Sequence, residues 1–140
     1  MATASSEVRV TFYGPDRAPA KAYVQKAGTK IYKGTQCMHV AGVVQPATTG
    51  VANSVYLGVA ADTYDASDEV SDKTWTTPMV FIRRAYTVGV KSGDVPTAAK
   101  LGTTVYVNSD IEVKATSATN DVTVRLLSIV NSNQVIVEPA

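Results

Sequence analysis

Cys37 and His39 are the two side chains of this chain with the widest chemical repertoire, and each is the only one of its kind. Residues two apart in a strand project from the same face, so the pair would share a face. A nucleophile–histidine site would need His39, yet no Gly-x-Ser-x-Gly turn supplies a serine. Two ligands do not complete a zinc site. We interpret the pair as a small buried thiol beside a surface or partly buried imidazole, and we predict no enzymatic activity and no cofactor.

The densest run of charge is acidic and lies within residues 62–72, hereafter the acidic loop. Its charged members are Asp62, Asp65, Asp68, Glu69 and Asp72. A calcium-binding EF-hand loop places acids at positions 1, 3, 5 and 12 around a central glycine. The spacing here is different and the loop has no glycine. We therefore predict a solvated loop that binds no metal and can meet a basic patch on a partner.

Charge is segregated along the chain, although 13 basic and 12 acidic residues leave a net charge of only +1. Residues 1–33 are basic and the following forty residues are acidic. This pattern indicates either two solvated faces or complementary patches through which subunits or partners meet. In the second case the candidate interface residues are Arg9, Arg17, Lys21 and Lys26 on the basic side, and Asp62, Asp65 and Asp68 on the acidic side. Because the net charge is near zero, we expect neither nucleic acid nor a membrane to be a partner.

The elements that must position these residues are strands. Val (22 residues) and Thr (17) together make up more than a quarter of the 140 residues, whereas Leu and Glu number four each. Apolar residues alternate with polar ones at a period of two, which is typical of half-buried strands. We predict an all-β protein, a small single-domain β-barrel or sandwich over residues 28–140. Residues 1–27 are predicted to form an extended basic N-terminal arm that packs against a partner rather than joining the central core.

The alternation predicts the individual strands and turns. Strands are expected over residues 8–12, 21–25, 31–44, 55–61 and 79–90, hairpins over 105–113 and 122–137, and one helical turn over 95–101. The start of the chain does not resemble a signal peptide, so we expect synthesis in a cytosol.

Arg83 and Arg84 interrupt the longest predicted strand, Met79–Val90. Arg84 has the parity of apolar neighbours such as Ile82 and Tyr86. A bulge could shift the register there. Without a bulge, the guanidinium would lie on an apolar face, where it needs a carboxylate partner or an intersubunit surface. We therefore include Arg84 among the candidate interface residues.

Five short motifs follow one another between residues 28 and 137. They are Lys30–Thr35 (KIYKGT), Gln45–Thr48 (QPAT), Leu57–Ala60 (LGVA), Val80–Arg84 (VFIRR) and Lys100–Val107 (KLGTTVYV). Their order resembles that of the capsid decoration, or cement, proteins of tailed bacteriophages. The sequence departs from that family at Ala85–Thr87, where a glycine is usual, and residues 1–27 match none of its motifs.

The resemblance implies a structural virion protein without enzymatic activity, which binds the outer surface of an assembled bacteriophage head and stabilises the capsid lattice. It implies two partners, the major capsid protein and further copies of this chain, with a homotrimer favoured over a dimer. It also implies synthesis in the bacterial host cytoplasm and a final place on the outer capsid surface. The alternative is a carbohydrate-binding or fibre-type attachment module, in which Trp75, Tyr56, Tyr64 and Tyr86 would form a stacking platform.

Overall fold

The computed structural model describes residues 2–14 and 23–140, and within them the chain forms fourteen strands and one turn of 3-10 helix, Ala98–Lys100. The strands are β1 (Phe12–Tyr13), β2 (Val24–Gln25), β3 (Lys30–Ile31), β4 (Gln36–Val40), β5 (Val43–Pro46), β6 (Ser54–Ala60), β7 (Tyr64–Asp65), β8 (Lys73–Thr74), β9 (Phe81–Ile82), β10 (Ala85–Val90), β11 (Thr104–Val107), β12 (Glu112–Lys114), β13 (Thr123–Asn131) and β14 (Gln134–Pro139). The all-β prediction is confirmed, as are both C-terminal hairpins and the helical turn.

Five strands close into a barrel. They follow the order β10–β12–β11–β13–β14, and β14 also pairs with β10, which closes the ring. The inward positions are largely valines, because a β-branched side chain packs well on a pleated surface. Those that are fully buried are Val105, Val107, Val113, Val124, Val135 and Val137. Strand β1 pairs with one end of β10 and so extends the sheet beside the barrel.

A second sheet, in the order β8–β2–β5–β4–β6–β9, packs one face on the barrel. Met38, Tyr56 and Val59 point from that face into the barrel core. The opposite face contributes Cys37 and Leu57 to a second core. The two-stranded ladder of β3 and β7 also supplies side chains to this second core. Residues 36–38 of β4 and 56–60 of β6 are therefore buried on both faces.

The segment predicted as one strand over residues 31–44 is instead divided, and its second half is the β4–β5 hairpin. The turn residues Ala41 and Gly42 have φ of +51° and +85°. Positive φ at both central residues is the property that lets a two-residue turn match the twist of its strands. The prediction missed this turn because Ala41 is not one of the residues that usually adopt positive φ.

The predicted strand Met79–Val90 is also divided, at Arg83 and Arg84. The part before them, β9, pairs with β6 in the second sheet, whereas the part after them, β10, belongs to the barrel. The arginines thus occupy the crossover between two sheets. Arg84 is half-buried, its Nε donates a hydrogen bond to the Gly14 carbonyl, and its guanidinium carbon lies 5.9 Å from the Phe12 ring centroid. Arg84 therefore does not lie on the apolar face of a single strand.

The residues predicted to form an arm take part in the fold where they are described. Val10 and Phe12 pack against the barrel core, and Gln25 of β2 is fully buried. The physical reason is the alternation of Val8, Val10 and Phe12, which gives this segment an apolar side that packs in part against the barrel core. The expectation that residues 1–27 stay out of the central core is therefore wrong for these residues. Arg17 and Lys21 lie outside the described residues.

Candidate docking surfaces

The charges that are segregated in sequence are neighbours in space. Strands β3 and β7 pair antiparallel, which places Lys30 opposite Asp65, with 3.8 Å between Nζ and Oδ2. The amide of Ala27 donates to Oδ1 of Asp72 at 2.9 Å. Hydrogen bonds from Ser67, and then the charge of Lys30, lower the pKa of Asp65. Part of the acidic loop is thus matched by the basic segment of its own chain.

The remaining predicted interface residues occupy separate parts of the surface. Lys26, Asp62 and Asp68 are exposed near the β3–β7 ladder. Arg9 is exposed on the N-terminal segment, whereas Arg84 lies under the end of that segment. The structure therefore does not gather the predicted residues into one patch.

A groove of about 470 Å³ runs between the N-terminal segment and the second sheet. Its floor is made by the small residues Gly34, Ala60 and Ala61 together with Ile82. Its wall is the apolar side of the N-terminal segment, and its rim carries charged side chains. The wall and rim residues are Val8, Val10, Phe12, Glu7, Arg9 and Lys33. We call this feature the N-terminal groove.

Gly34 fixes the wall of the N-terminal groove. Its φ is +89°, and a Cβ at this position would lie 1.9 Å from the carbonyl oxygen of Val8. The Val8 amide donates to the Lys33 carbonyl at 2.8 Å, and the Gly34 amide donates to that of Ala60 at 2.9 Å. Only glycine allows so close a backbone approach. Sequence analysis missed the groove, because nothing near Gly34 shows which distant segment crosses it.

A second surface lies on the barrel and is apolar. Leu101, Leu127 and Val130 are 46%, 41% and 49% exposed, and we call them the apolar barrel surface. The register of β13 against β14 skips Leu127 and Val130, so each is the extra residue of a β-bulge. Ordinary alternation turns Leu127 away from the core that holds Leu126, and the bulge then shifts the register so that Ile129 packs on that core and Val130 points outward. Hydrogen bonds join Leu126 to Gly102 and Thr103, which brings the Leu101 turn beside β13.

A buried ion pair between Lys114, the last residue of β12, and Asp121 braces the loops around them. Nζ of Lys114 lies 3.0 Å from Oδ2 of Asp121, and the two side chains are 6% and 0% exposed. The Thr49 hydroxyl accepts from Lys114 at 2.7 Å and donates to Asp121. The amides of Gly50 and Ala118 also donate to Asp121. This cluster satisfies its charges internally, so its geometry is that of a structural tie.

A chain of buried hydrogen bonds joins the two sheets. The Tyr56 hydroxyl donates to that of Tyr86 at 2.6 Å, Tyr86 donates to the Gln36 side chain, and Gln36 donates to the Ser109 carbonyl at 2.9 Å. Burial raises the pKa of both phenols, and it also raises that of the Cys37 thiol. These groups therefore remain protonated, and no reactive thiolate or phenolate is formed.

The aromatic residues do not form the predicted stacking platform. Tyr56, Tyr64 and Tyr86 are buried in the two cores. Trp75 is half-buried, its Nε1 donates to the Gln25 side chain, and its ring meets that of Tyr64 edge-on at 5.5 Å. Three of the four rings are covered by the sheets, so they contribute to core packing and are not accessible to a ligand.

The described residues contain no grouping of three or more His, Cys, Asp or Glu side chains that could hold a metal ion. Within the same ranges no helix is long and apolar enough to cross a membrane. Comparison of the chain with protein-family models, with curated protein sequences and with solved structures finds no match.

Proposed function

We propose that this protein is a capsid decoration protein, which binds the outer surface of an assembled bacteriophage head and stabilises its lattice. The apolar barrel surface is the observation that carries the proposal. Large apolar side chains that are exposed together on a β module favour docking onto another protein. One of its three members, Val130, is turned outward by a bulge, which is a placed feature rather than an accident of packing. The major capsid protein is the proposed partner for this surface.

The positions of the five motifs support a scaffolding role. Gly34 of the first motif permits the approach of Val8. Gly58 of the third has a φ of +127°, and a Cβ there would lie 2.6 Å from the carbonyl oxygen of Ile82. These motif glycines serve close backbone packing, and no catalytic side chain accompanies them. The resemblance to decoration proteins therefore concerns residues that shape the fold.

The internal bracing also suits a protein that must transmit load between neighbouring capsomers. The Lys114–Asp121 pair and the Gln36 chain tie loops and sheets together. Buried polar networks that are fully satisfied make a structure rigid. No buried side-chain nitrogen or oxygen of the described residues lacks a hydrogen-bond partner. A homotrimer on the outer capsid surface is the arrangement we favour.

The test is sedimentation of the purified protein with undecorated heads, assembled from the major capsid protein encoded in the same genome. The chain should sediment with the heads. Leu127→Asp should weaken binding at least about tenfold, since burying one leucine contributes roughly 1.5–3 kcal/mol. Val55→Asp is the matched control, because Val55 is 51% exposed but lies in the second sheet.

Two results would contradict the proposal. One is the absence of sedimentation with heads, and the other is an equal loss of binding in Leu127→Asp and Val55→Asp. A glycan array provides the comparison with the alternative function. Specific glycan binding by a chain that ignores heads would favour an attachment module.

A further inference from the structure

We propose that Val70, at the tip of the acidic loop, inserts into the N-terminal groove of a neighbouring copy and joins copies side by side. The proposal rests on the proposed function, because a shell presents many copies at fixed spacing. It names a second copy of this chain as the occupant of the groove. The contact uses two different surfaces of the same protein, one as the projection and one as the recess.

The projection is an isolated apolar side chain among charges. Val70 is 100% exposed, although it is β-branched and apolar. Asp68 and Glu69 precede it and are exposed as well. The loop is held on both sides, by the hydrogen bond from Ala27 to Asp72 and by the bond from the Glu69 amide to the Ala66 carbonyl at 3.2 Å. Val70 is thus presented on a braced turn and packs against none of the residues that the structure describes.

The recess matches that projection in size and polarity. Gly34, Ala60 and Ala61 leave room on the floor of the groove, and the apolar wall and Ile82 enclose it. The volume of about 470 Å³ accommodates a valine side chain and part of its loop. The contacts that contribute most to an interface lie in well-packed pockets from which water is excluded, and this recess provides such a pocket for Val70.

The charges around the two surfaces are complementary. Arg9 and Lys33 stand at the rim of the groove and form no ion pair with any residue of the described ranges. Asp68 and Glu69 likewise form none within those ranges. The one acid at the rim, Glu7, already accepts a hydrogen bond from the Thr63 hydroxyl at 2.9 Å. Insertion of Val70 would bring Asp68 and Glu69 beside Arg9 and Lys33, and such complementary charges set register and partner choice.

The symmetry of this contact follows from its two unlike surfaces. A projection-to-recess contact is heterologous, so it builds a closed ring when the rotation closes and an open chain when it does not. A ring of three copies fits the homotrimer proposed above. A twofold dimer would instead require the same surface on both copies.

Disulfide trapping tests the contact directly, with Val70→Cys in one preparation and Ala61→Cys in another. The native Cys37 is fully buried, and burial raises its pKa, so it does not compete. The two variants are mixed under mild oxidation, both as free protein at high concentration and on heads. A mixed disulfide should form on heads in clear excess over that between Val70→Cys and Asn133→Cys, an exposed control position on the β13–β14 turn. The Val70→Cys protein alone should form few disulfide dimers.

Charge reversal gives a second readout that needs no cysteine. Arg9→Glu should lower the cooperativity of head binding, and Arg9→Glu combined with Glu69→Arg should restore it. Trapping on heads at the level of the Asn133→Cys control would overturn the inference while leaving head binding, and so the proposed function, intact. Mixed disulfides in the free protein without any binding to heads would support the contact between copies and contradict the proposed function.

Discussion

The buried pair of Lys114 and Asp121 allows a prediction whose size follows from the geometry. Removing one partner of a buried ion pair costs about 3–5 kcal/mol, because the other charge is left without compensation. In Lys114→Met, Asp121 keeps the donors Thr49, Gly50 and Ala118, so we expect a loss of about 3 kcal/mol in the free energy of unfolding. In Asp121→Asn, the ammonium keeps only a hydroxyl and the weaker amide oxygen, so we expect about 4 kcal/mol.

The double variant Lys114→Met with Asp121→Asn should lose less stability than the sum of the single variants, since it leaves no buried charge. The assay is equilibrium unfolding in urea of the native protein, the two single variants and the double variant. Arg125→Met is the matched control, because Arg125 and Glu138 form an exposed pair at 3.3 Å. Such a pair contributes under about 1 kcal/mol. Losses in the Lys114 and Asp121 variants as small as in the control, or strictly additive losses, would refute the reasoning.

The pH dependence of the same pair has a definite sign. Burial alone would raise the pKa of Asp121, but hydrogen bonds from Thr49, Ala118 and Lys114 lower it below the ordinary value of 3.8. A carboxyl whose pKa is lower in the folded state contributes stability above its unfolded pKa and loses it as the pH falls through the folded pKa. The free energy of unfolding of the native protein should therefore fall more steeply with decreasing pH below about pH 4. The contribution of Asp121 to that fall should be absent in Asp121→Asn.

Three further outcomes are expected. Ala41→Gly should raise the free energy of unfolding, measured in urea, by about 1 kcal/mol. The reason is that the left-handed conformation at φ +51° is sterically unfavourable for alanine but not for glycine. Burial raises the pKa of Asp110 despite the hydrogen bond from the Ala4 amide. The free energy of unfolding should therefore fall as the pH rises from the ordinary value of 3.8 through the higher pKa of the folded state. Asp110→Asn should abolish that fall. Gly34→Ala should free the Val8 amide to hydrogen exchange and lower the melting temperature more than Gly14→Ala, since a Cβ at Gly14 meets no atom within 4 Å.

Local patterns were sufficient to predict the elements whose signal lies within a few residues. The alternation of Val105 and Val107, with a short polar turn after them, predicted the β11–β12 hairpin, which the structure confirms. The division of the chain at Arg83 and Arg84 could not be predicted in the same way. Apolar parity continues across the arginines, and only the pairing with β6 and β14 shows that two sheets are involved.

The docking surfaces and the buried pair depend on contacts between distant segments. Lys114 and Asp121 are residue types that usually lie on the surface, and nothing local indicates that Thr49 approaches both. Alternation alone turns Leu127 away from the face of the buried Leu126, but Val130 has the same parity as Leu126, so only the bulge in the β13 register shows that Val130 is exposed. The basic and acidic runs were visible in the sequence, but their pairing through β3 and β7 was not.

The orientation of the protein on a decorated head is the most direct test of its proposed role in capsid decoration. A cryo-EM reconstruction of heads saturated with the native chain would place the barrel relative to the shell. We predict density on the outer surface with Leu101, Leu127 and Val130 turned towards the major capsid protein. Heads that carry no added density, or a barrel that presents these three residues to solvent, would contradict the account.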